Sequence, residues 1–192
     1  MKKIFISCLF TVCCFFPSDF RYYIDSDESE IIWTGRKING EHYGTINFKS
    51  GFVDIQNNKI VGGEFIIDMP SIKVVDMTPE YNLKLENHLK NTDFFLVDDF
   101  PTAKFKIIGP HKFFMIDTAG IKGELTIKNT TIKKIILANI SVKDTIAEAT
   151  GIINIDRTLF GITYGSGSFF DNLQDRAIDD NFTLEFKAIA KK

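Results

Sequence analysis

Residues 91–106 read N-T-D-F-F-L-V-D-D-F-P-T-A-K-F-K, and the character of the chain changes across them. N-terminal to this stretch, residues 76–90 have helical spacing. Thr78-Pro79-Glu80 supplies a cap, a proline at the first helical position and an acid in the first turn. Tyr81, Leu85, His88 and Leu89 then recur one turn apart. C-terminal to it the period drops to two, with Phe105 and Ile107 on one face and Lys104 and Lys106 on the other. The stretch itself sets Phe94, Phe95 and Phe100 beside Pro101 and the acids Asp93, Asp98 and Asp99. It holds no nucleophile beside a base and no metal-ligand spacing. A handover from one helix to a run of strands belongs at the end of a sheet. Its aromatics suit an apolar ligand better than a reaction.

The strands continue in both directions. Upstream, residues 30–36 read as a short strand, and Ile46 and Phe48 share a face of residues 44–49. Gly51 reads as a bulge or corner, after which Val53 and Ile55 resume the alternation. Asn57-Asn58 is a turn signal, and Phe65, Ile67 and Met69 share a face of the partner strand. Downstream, residues 113–116 form a short partner joined through Gly109-Pro110. Ile121, Gly123, Leu125 and Ile127 then alternate with Lys122, Glu124, Thr126 and Lys128. Residues 132–142, 146–155 and 182–188 continue in the same way. About eight strands in hairpin order, each with one apolar face, predict an all-β fold: an antiparallel barrel or sandwich with one helical crossing. The last strand can pair with the first and remove the sheet edges. A barrel of this size is filled by its own side chains or holds one small ligand, and periodicity does not distinguish the two.

The 192 residues fit one domain with a sizeable core. The formal charge is −2 and there is no basic patch, which argues against nucleic acid as partner. Residues 1–18 read as an export signal: Lys2 and Lys3, an apolar run over 4–16 too short to span a bilayer, and a break at Pro17-Ser18. The single domain is then 19–192, in the periplasm or outside the cell. Cys8, Cys13 and Cys14 all fall in the signal, so the rest of the chain has no disulfide and no thiolate metal site. A lipidated Cys13 or Cys14 would tether the chain to a membrane; cleavage near Ser18 is the simpler alternative.

His42, His88 and His111 lie in three separate regions, and His88 reads as packing or mouth-lining. Asp98-Asp99 and Asp179-Asp180 are adjacent pairs whose side chains point apart in strands, and they read as solvated turns. Gly165-Ser166-Gly167-Ser168 lacks the lysine and the strand–loop–helix context of a phosphate loop. No catalytic residue, metal or cofactor is therefore expected. Arg157 follows a strand and either pairs with an anionic head group or staples its loop to a carboxylate.

Five pieces in order resemble the YceI-like family of lipid- and polyisoprenoid-binding, lipocalin-like proteins. They are Gly44-Thr45-Ile46-Asn47-Phe48 with Gly51; His88-Leu89-Lys90-Asn91-Thr92-Asp93-Phe94-Phe95; Phe100-Pro101-Thr102-Ala103-Lys104-Phe105; Gly123-Glu124-Leu125-Thr126-Ile127-Lys128; and Asp156-Arg157-Thr158-Leu159-Phe160-Gly161. In the last, Asp156 stands for the family's Asn and Leu159 for its Asp. The resemblance implies an extended lipocalin-like barrel whose apolar interior takes a long prenyl or acyl chain, without catalysis. On strand parity, Trp33, Ile46, Phe48, Phe65, Ile67, Phe105, Leu125, Ile127 and Phe186 are then expected to line the cavity. Phe94 and Phe95 are expected to close its end, with Arg157 as a head-group contact. The expected partner is a long-chain isoprenoid or other lipid, and a homodimer stays open. The alternative is a structural or stress-related envelope protein whose barrel is filled by its own side chains.

Overall fold

The computed structural model describes residues 19–57, 59–109, 112–113 and 118–192. The export segment with its three cysteines, the turn residue Asn58, Pro110, His111 and most of the strand expected at 113–116 lie outside these residues. The elements are β1 (Asp19–Ile24), β2 (Glu30–Lys37), β3 (Gly40–Gln56), β4 (Lys59–Val74), α1 (Pro79–Lys90), β5 (Thr102–Ile108), β6 (Lys112–Phe113), β7 (Thr118–Ile127), β8 (Thr130–Lys143), β9 (Ile146–Asp156) and β10 (Ile178–Lys191). Single 3₁₀ turns cover Arg157–Phe160 and Gln174–Arg176.

All the strand pairings are antiparallel, and they close into a barrel of eight positions. Two positions are each filled by a broken strand. β1 pairs with the far half of β3 and the last residues of β10, whereas β2 pairs with the near half of β3 and the body of β10. The break between them is a side-chain turn: Asp25 Oδ1 accepts from the Asp27 and Glu28 amides, and Lys191 reaches Asp25 and Glu28. β5 and β6 share the next such position against β7. β10 then bonds β9 on one side and β2 on the other, so the last strand does return to the first and removes the edges.

The inward faces are the ones the alternation marks. In β3 the register shifts between Phe48 and Ser50, leaving Lys49 as the extra residue. That bulge moves the buried set from Ile46 and Phe48 to Val53 and Ile55. Two buried clusters result. One, at the end carrying α1, holds Ile31, Ile46, Phe48, Met69, Val97 and Phe160 among others. The second, at the opposite end, holds Tyr22, Val53, Ile55, Ile60 and the small Ala138, Ala147 and Ala190. Phe65 and Phe186 pack against both.

α1 begins at Pro79 after Thr78, as expected, although Thr78 makes no side-chain cap. Its inner face differs from the expected stripe. Tyr81 is exposed, and the buried residue is Glu86. At about 100° per residue, Asn82, Leu85, Glu86 and Leu89 cluster on one face and Tyr81 lies to one side of it. Glu86 is tolerated there because Oε1 accepts from the Val74 amide and Oε2 faces Lys73 Nζ at 3.3 Å. Its carboxylate thereby closes the end of β4.

Residues 91–101 then fold over the same end of the barrel. The Phe95 and Val97 amides donate back to Leu89 O and Lys90 O, and the Met69 amide donates to Pro101 O. Lys128, on the β7–β8 turn, donates to Phe94 O at 2.8 Å. Asp98 and Asp99 are exposed, as turn residues should be.

Candidate functional site: an apolar cavity and its mouth

The barrel encloses a cavity of about 300 Å³, at the lower end of the range for small-molecule sites. Its wall is apolar through most of its depth. Trp33 reaches it from β2, Ile46 and Phe48 from β3, Phe65 and Ile67 from β4, Phe105 from β5, Leu125 and Ile127 from β7, and Phe186 from β10. Phe94 and Phe95 meet it from the segment over the end. The structure thus brings all these residues to one space, with Arg157 at its rim.

Several of these inward residues are only half-buried. Phe65, Ile67, Phe105, Leu125, Leu184 and Phe186 retain intermediate exposure although they point inside the barrel. Part of that surface faces the void, not bulk water. The rings lie across the wall because glycines leave room for them. A Cβ on Gly123 would stand 2.2 Å from the Phe105 ring, and one on Gly151 2.9 Å from Phe186. Phe48 and Phe65 meet edge to face at 6.1 Å, and Phe95 and Phe182 at 6.3 Å. Trp33 Nε1, the one polar atom of its ring, donates to Lys73 O at 3.0 Å.

Other wall residues were outside the expected set: Met69, Ile153, Ile155, Phe182 and Leu184, with Leu85 and Leu89 from α1. For the strand residues the signal is the same parity that marks Phe186. The helix contribution depends on where α1 crosses, which periodicity does not specify.

The polar groups gather at the α1 end. His88 is held edge-on against Phe94 and Tyr164, with centroids at 5.0 and 4.8 Å, and its Nε2 meets Asp93 at 3.1 Å. It packs the 91–101 segment against the β9–β10 loop. His42 Nδ1 meets Asp76 at 2.9 Å.

Arg157 corrects one expectation. It is 4% exposed. Nε donates to Asp179 O, Nη1 to Ile162 O and Tyr164 O, and Nη2 to Ile178 O, all within 3.1 Å. Nη2 also faces Asp180 at 3.6 Å. The guanidinium is thus committed to the chain's own carbonyls and staples the loop; it is not a free head-group contact. Burial lowers its pKa, and the charges of Asp180, Asp156 and Asp179 offset part of that effect. Asp156 accepts from the Thr158 amide and hydroxyl and so caps the turn that presents Arg157. The Asp179-Asp180 pair is likewise no simple solvated turn, because Asp180 accepts from Ser168 Oγ at 2.5 Å as well as facing Arg157. Ser166 is fully buried beneath it.

The YceI-like domain family matches residues 22–190, which is nearly the whole described barrel. The chain belongs to the YceI-like family. No curated protein matches it in sequence. Among solved structures it is similar to Burkholderia cenocepacia BcnA, at 18% identity and a TM-score of 0.71 over 88% of this chain and 99% of that one. It is also similar to a polyisoprenoid binding domain from Saccharophagus degradans implicated in plant cell wall breakdown, at 10% identity and a TM-score of 0.63 over 88% and 97%. The Campylobacter jejuni YceI protein is 20% identical, with a TM-score of 0.56 over 77% and 84%. At these identities the likenesses establish the YceI-like fold.

Proposed function

We propose that this YceI-like protein is an exported, non-enzymatic carrier or sequestering protein for a long-chain lipid, an isoprenoid in the first instance. The observation that carries the reading is the cavity. Large apolar side chains surround a void that they do not fill, and their residual surface faces inward. The polyisoprenoid binding described for the Saccharophagus degradans domain supports the same class of cargo. Export rests on residues 1–18, by cleavage near Ser18 or by lipid attachment at Cys13 or Cys14, and places the protein in the periplasm or outside the cell.

Burying one methylene contributes about 0.8 kcal/mol. A long chain therefore has ample gross driving force, much of which is offset by ordering the chain. Such a site needs shape and dryness more than a polar code. A purely structural barrel would be filled by its own side chains throughout; the void, which is bordered by Leu85 and Leu89 of α1 and also by Ile60, Ala147 and Ala190 of the opposite cluster, is why the carrier reading is preferred.

The test is saturable uptake. The purified protein, titrated with a prenyl alcohol or prenylquinone, is expected to bind one chain per barrel, and Leu125→Trp is expected to block uptake while the protein stays folded. Absence of saturable uptake by the folded wild type sinks the reading.

A further inference from the structure

The wall between β8 and β9 is laddered over only part of its height. Cα partners run from Lys143↔Ile146 to Ala138↔Gly151 and stop there. Both strands go on toward the α1 end. Residues 130–137 of β8 stay paired with β7, and residues 152–156 of β9 stay paired with β10. Between them runs a seam about 16 Å tall, at about 3.3 Å per residue over 152–156. Side chains close it in place of ladder pairs. Lys134 Nζ donates to Asn154 O at 2.7 Å. Phe160, from the 3₁₀ turn that follows β9, is buried in one cluster with Ile127 and Ile155. A ladder opens only by breaking paired backbone bonds, whereas an exposed lysine lets go by a change of rotamer.

The seam is apolar on both faces. Inside, Ile136 of β8 and Ile153 and Ile155 of β9 line the cavity. Outside, the alternation turns Ile135 and Leu137 of β8 and Ile152 of β9 to solvent, at 55%, 52% and 61% exposure. Along the laddered part the outward positions are instead Asn139, Ser141, Glu148 and Thr150, with Lys143 and Ile146 at its far end. The outward apolar group thus gathers where the ladder is missing. The charges beside it have both signs, Lys122 opposite Ile135 and Glu185 opposite Ile152. Contact with this patch therefore favours an apolar surface without a strong charge of its own.

We infer that the β8–β9 seam is where the protein meets a neutral lipid bilayer, and that the cargo chain passes sideways through it between bilayer and cavity. The inference rests on the carrier reading and adds the route and the partner surface. With Ile135, Leu137 and Ile152 on the bilayer and Lys134 swung aside, the chain moves from apolar residues outside the wall to apolar residues inside it without crossing water. A route belongs to the barrier and not to the end states. Closing it slows loading and unloading alike and leaves the affinity unchanged.

Trp33 is the single tryptophan and lines the cavity, so its quenching by a prenylquinone reports loading. The experiment mixes phosphatidylcholine vesicles carrying the prenylquinone with the variant Ile135→Cys/Asn154→Cys, whose thiols flank the seam and are joined by a reducible crosslinker; Cys8, Cys13 and Cys14 are replaced by serine. The bridge is expected to slow quenching, and its recovery in empty vesicles, about tenfold or more, with the dissociation constant held within about twofold and both rates restored on reduction. The same bridge in Ser141→Cys/Glu148→Cys, across a laddered pair, is expected to change neither rate. Ile152→Glu, which charges the outer patch, is expected to slow loading from vesicles about fivefold or more. Seam-bridged protein that loads and unloads as fast as its reduced form, equal slowing by the two bridges, or an Ile152→Glu protein that loads at the wild-type rate overturns the inference and leaves the carrier reading intact. A wild type whose Trp33 the prenylquinone never quenches overturns both.

Discussion

At the end away from α1 the inward positions are Ala119, Ala138, Ala147 and Ala190 with Ile55 and Ile60, all buried. Tyr22, 3% exposed, donates from its hydroxyl to Asp144 O on the β8–β9 turn and bolts that end shut. At the α1 end the inward positions include Trp33, Phe95, Phe182 and Leu184, each half-buried around a void, beside the buried Ile46, Phe48 and Ile155. One alternating pattern thus yields a floor of small, buried residues, of which Ile60, Ala147 and Ala190 border the cavity, and a chamber walled largely by bigger side chains, several of them half-buried. Close packing gives stability. The chamber forgoes some of that packing and gains a surface that an apolar ligand can complete.

The contrast can be broken by asking which substitutions cost stability and which cost binding. The largest stability losses are expected from Tyr22→Ala in the floor and Arg157→Met at the mouth loop. Each is expected to lower unfolding free energy in urea by about 3–5 kcal/mol, the first by leaving a cavity and the second by stranding buried carbonyls and Asp180. Tyr22→Ala is further expected to leave uptake by the folded fraction intact. Gly123→Ala comes next, at about 1–3 kcal/mol, because the added methyl collides with the Phe105 ring. It should reduce uptake as well, since that ring's free side is the cavity. Leu125→Trp, the substitution that blocks uptake, is expected to change stability by less than about 1 kcal/mol, because the larger ring fills space the wild type leaves empty. If it destabilised as much as Tyr22→Ala, the chamber would be as tightly packed as the floor and the contrast would be wrong.

The smallest effect is electrostatic. Burial on its own raises the Asp180 pKa, but hydrogen bonds from Ser166 and Ser168 and the charge of Arg157 outweigh it and hold the pKa below the ordinary value. A depressed carboxylate stabilises the fold fully above its unfolded pKa of about 3.9 and loses that contribution as pH falls through the folded one. Acid titration of unfolding free energy is expected to show this loss below about pH 4 in the wild type. Asp180→Asn should flatten it.

Much of the barrel was legible because strand parity has a physical cause. Ile46, Phe65, Phe105 and Leu125 can face inward only if their neighbours face out, and apart from Ile66 those neighbours are Thr, Glu, Lys and Asn. The switch of parity from Phe48 to Val53 marked a bulge in β3, but the extra residue is Lys49 and not the expected Gly51, which pairs with Phe65. The failures lie where contacts are long-range. Glu86 reads as a surface acid in any helical pattern, and only the approach of β4 shows that it caps the Val74 amide. The carbonyls that claim Arg157 come from residues up to 22 positions away, so its local motif could not separate staple from ligand contact. The register break between β2 and β10 joins strands that lie far apart in sequence.

The central claim is that the chamber is built to hold an apolar chain, and the most direct measurement is of what it holds. Protein purified without detergent, extracted with organic solvent and examined by mass spectrometry is expected to release a long-chain lipid in near-equimolar amount, and Leu125→Trp is expected to release none. A wild-type protein that releases no lipid, and that takes up none when offered prenyl or acyl chains, would contradict the account.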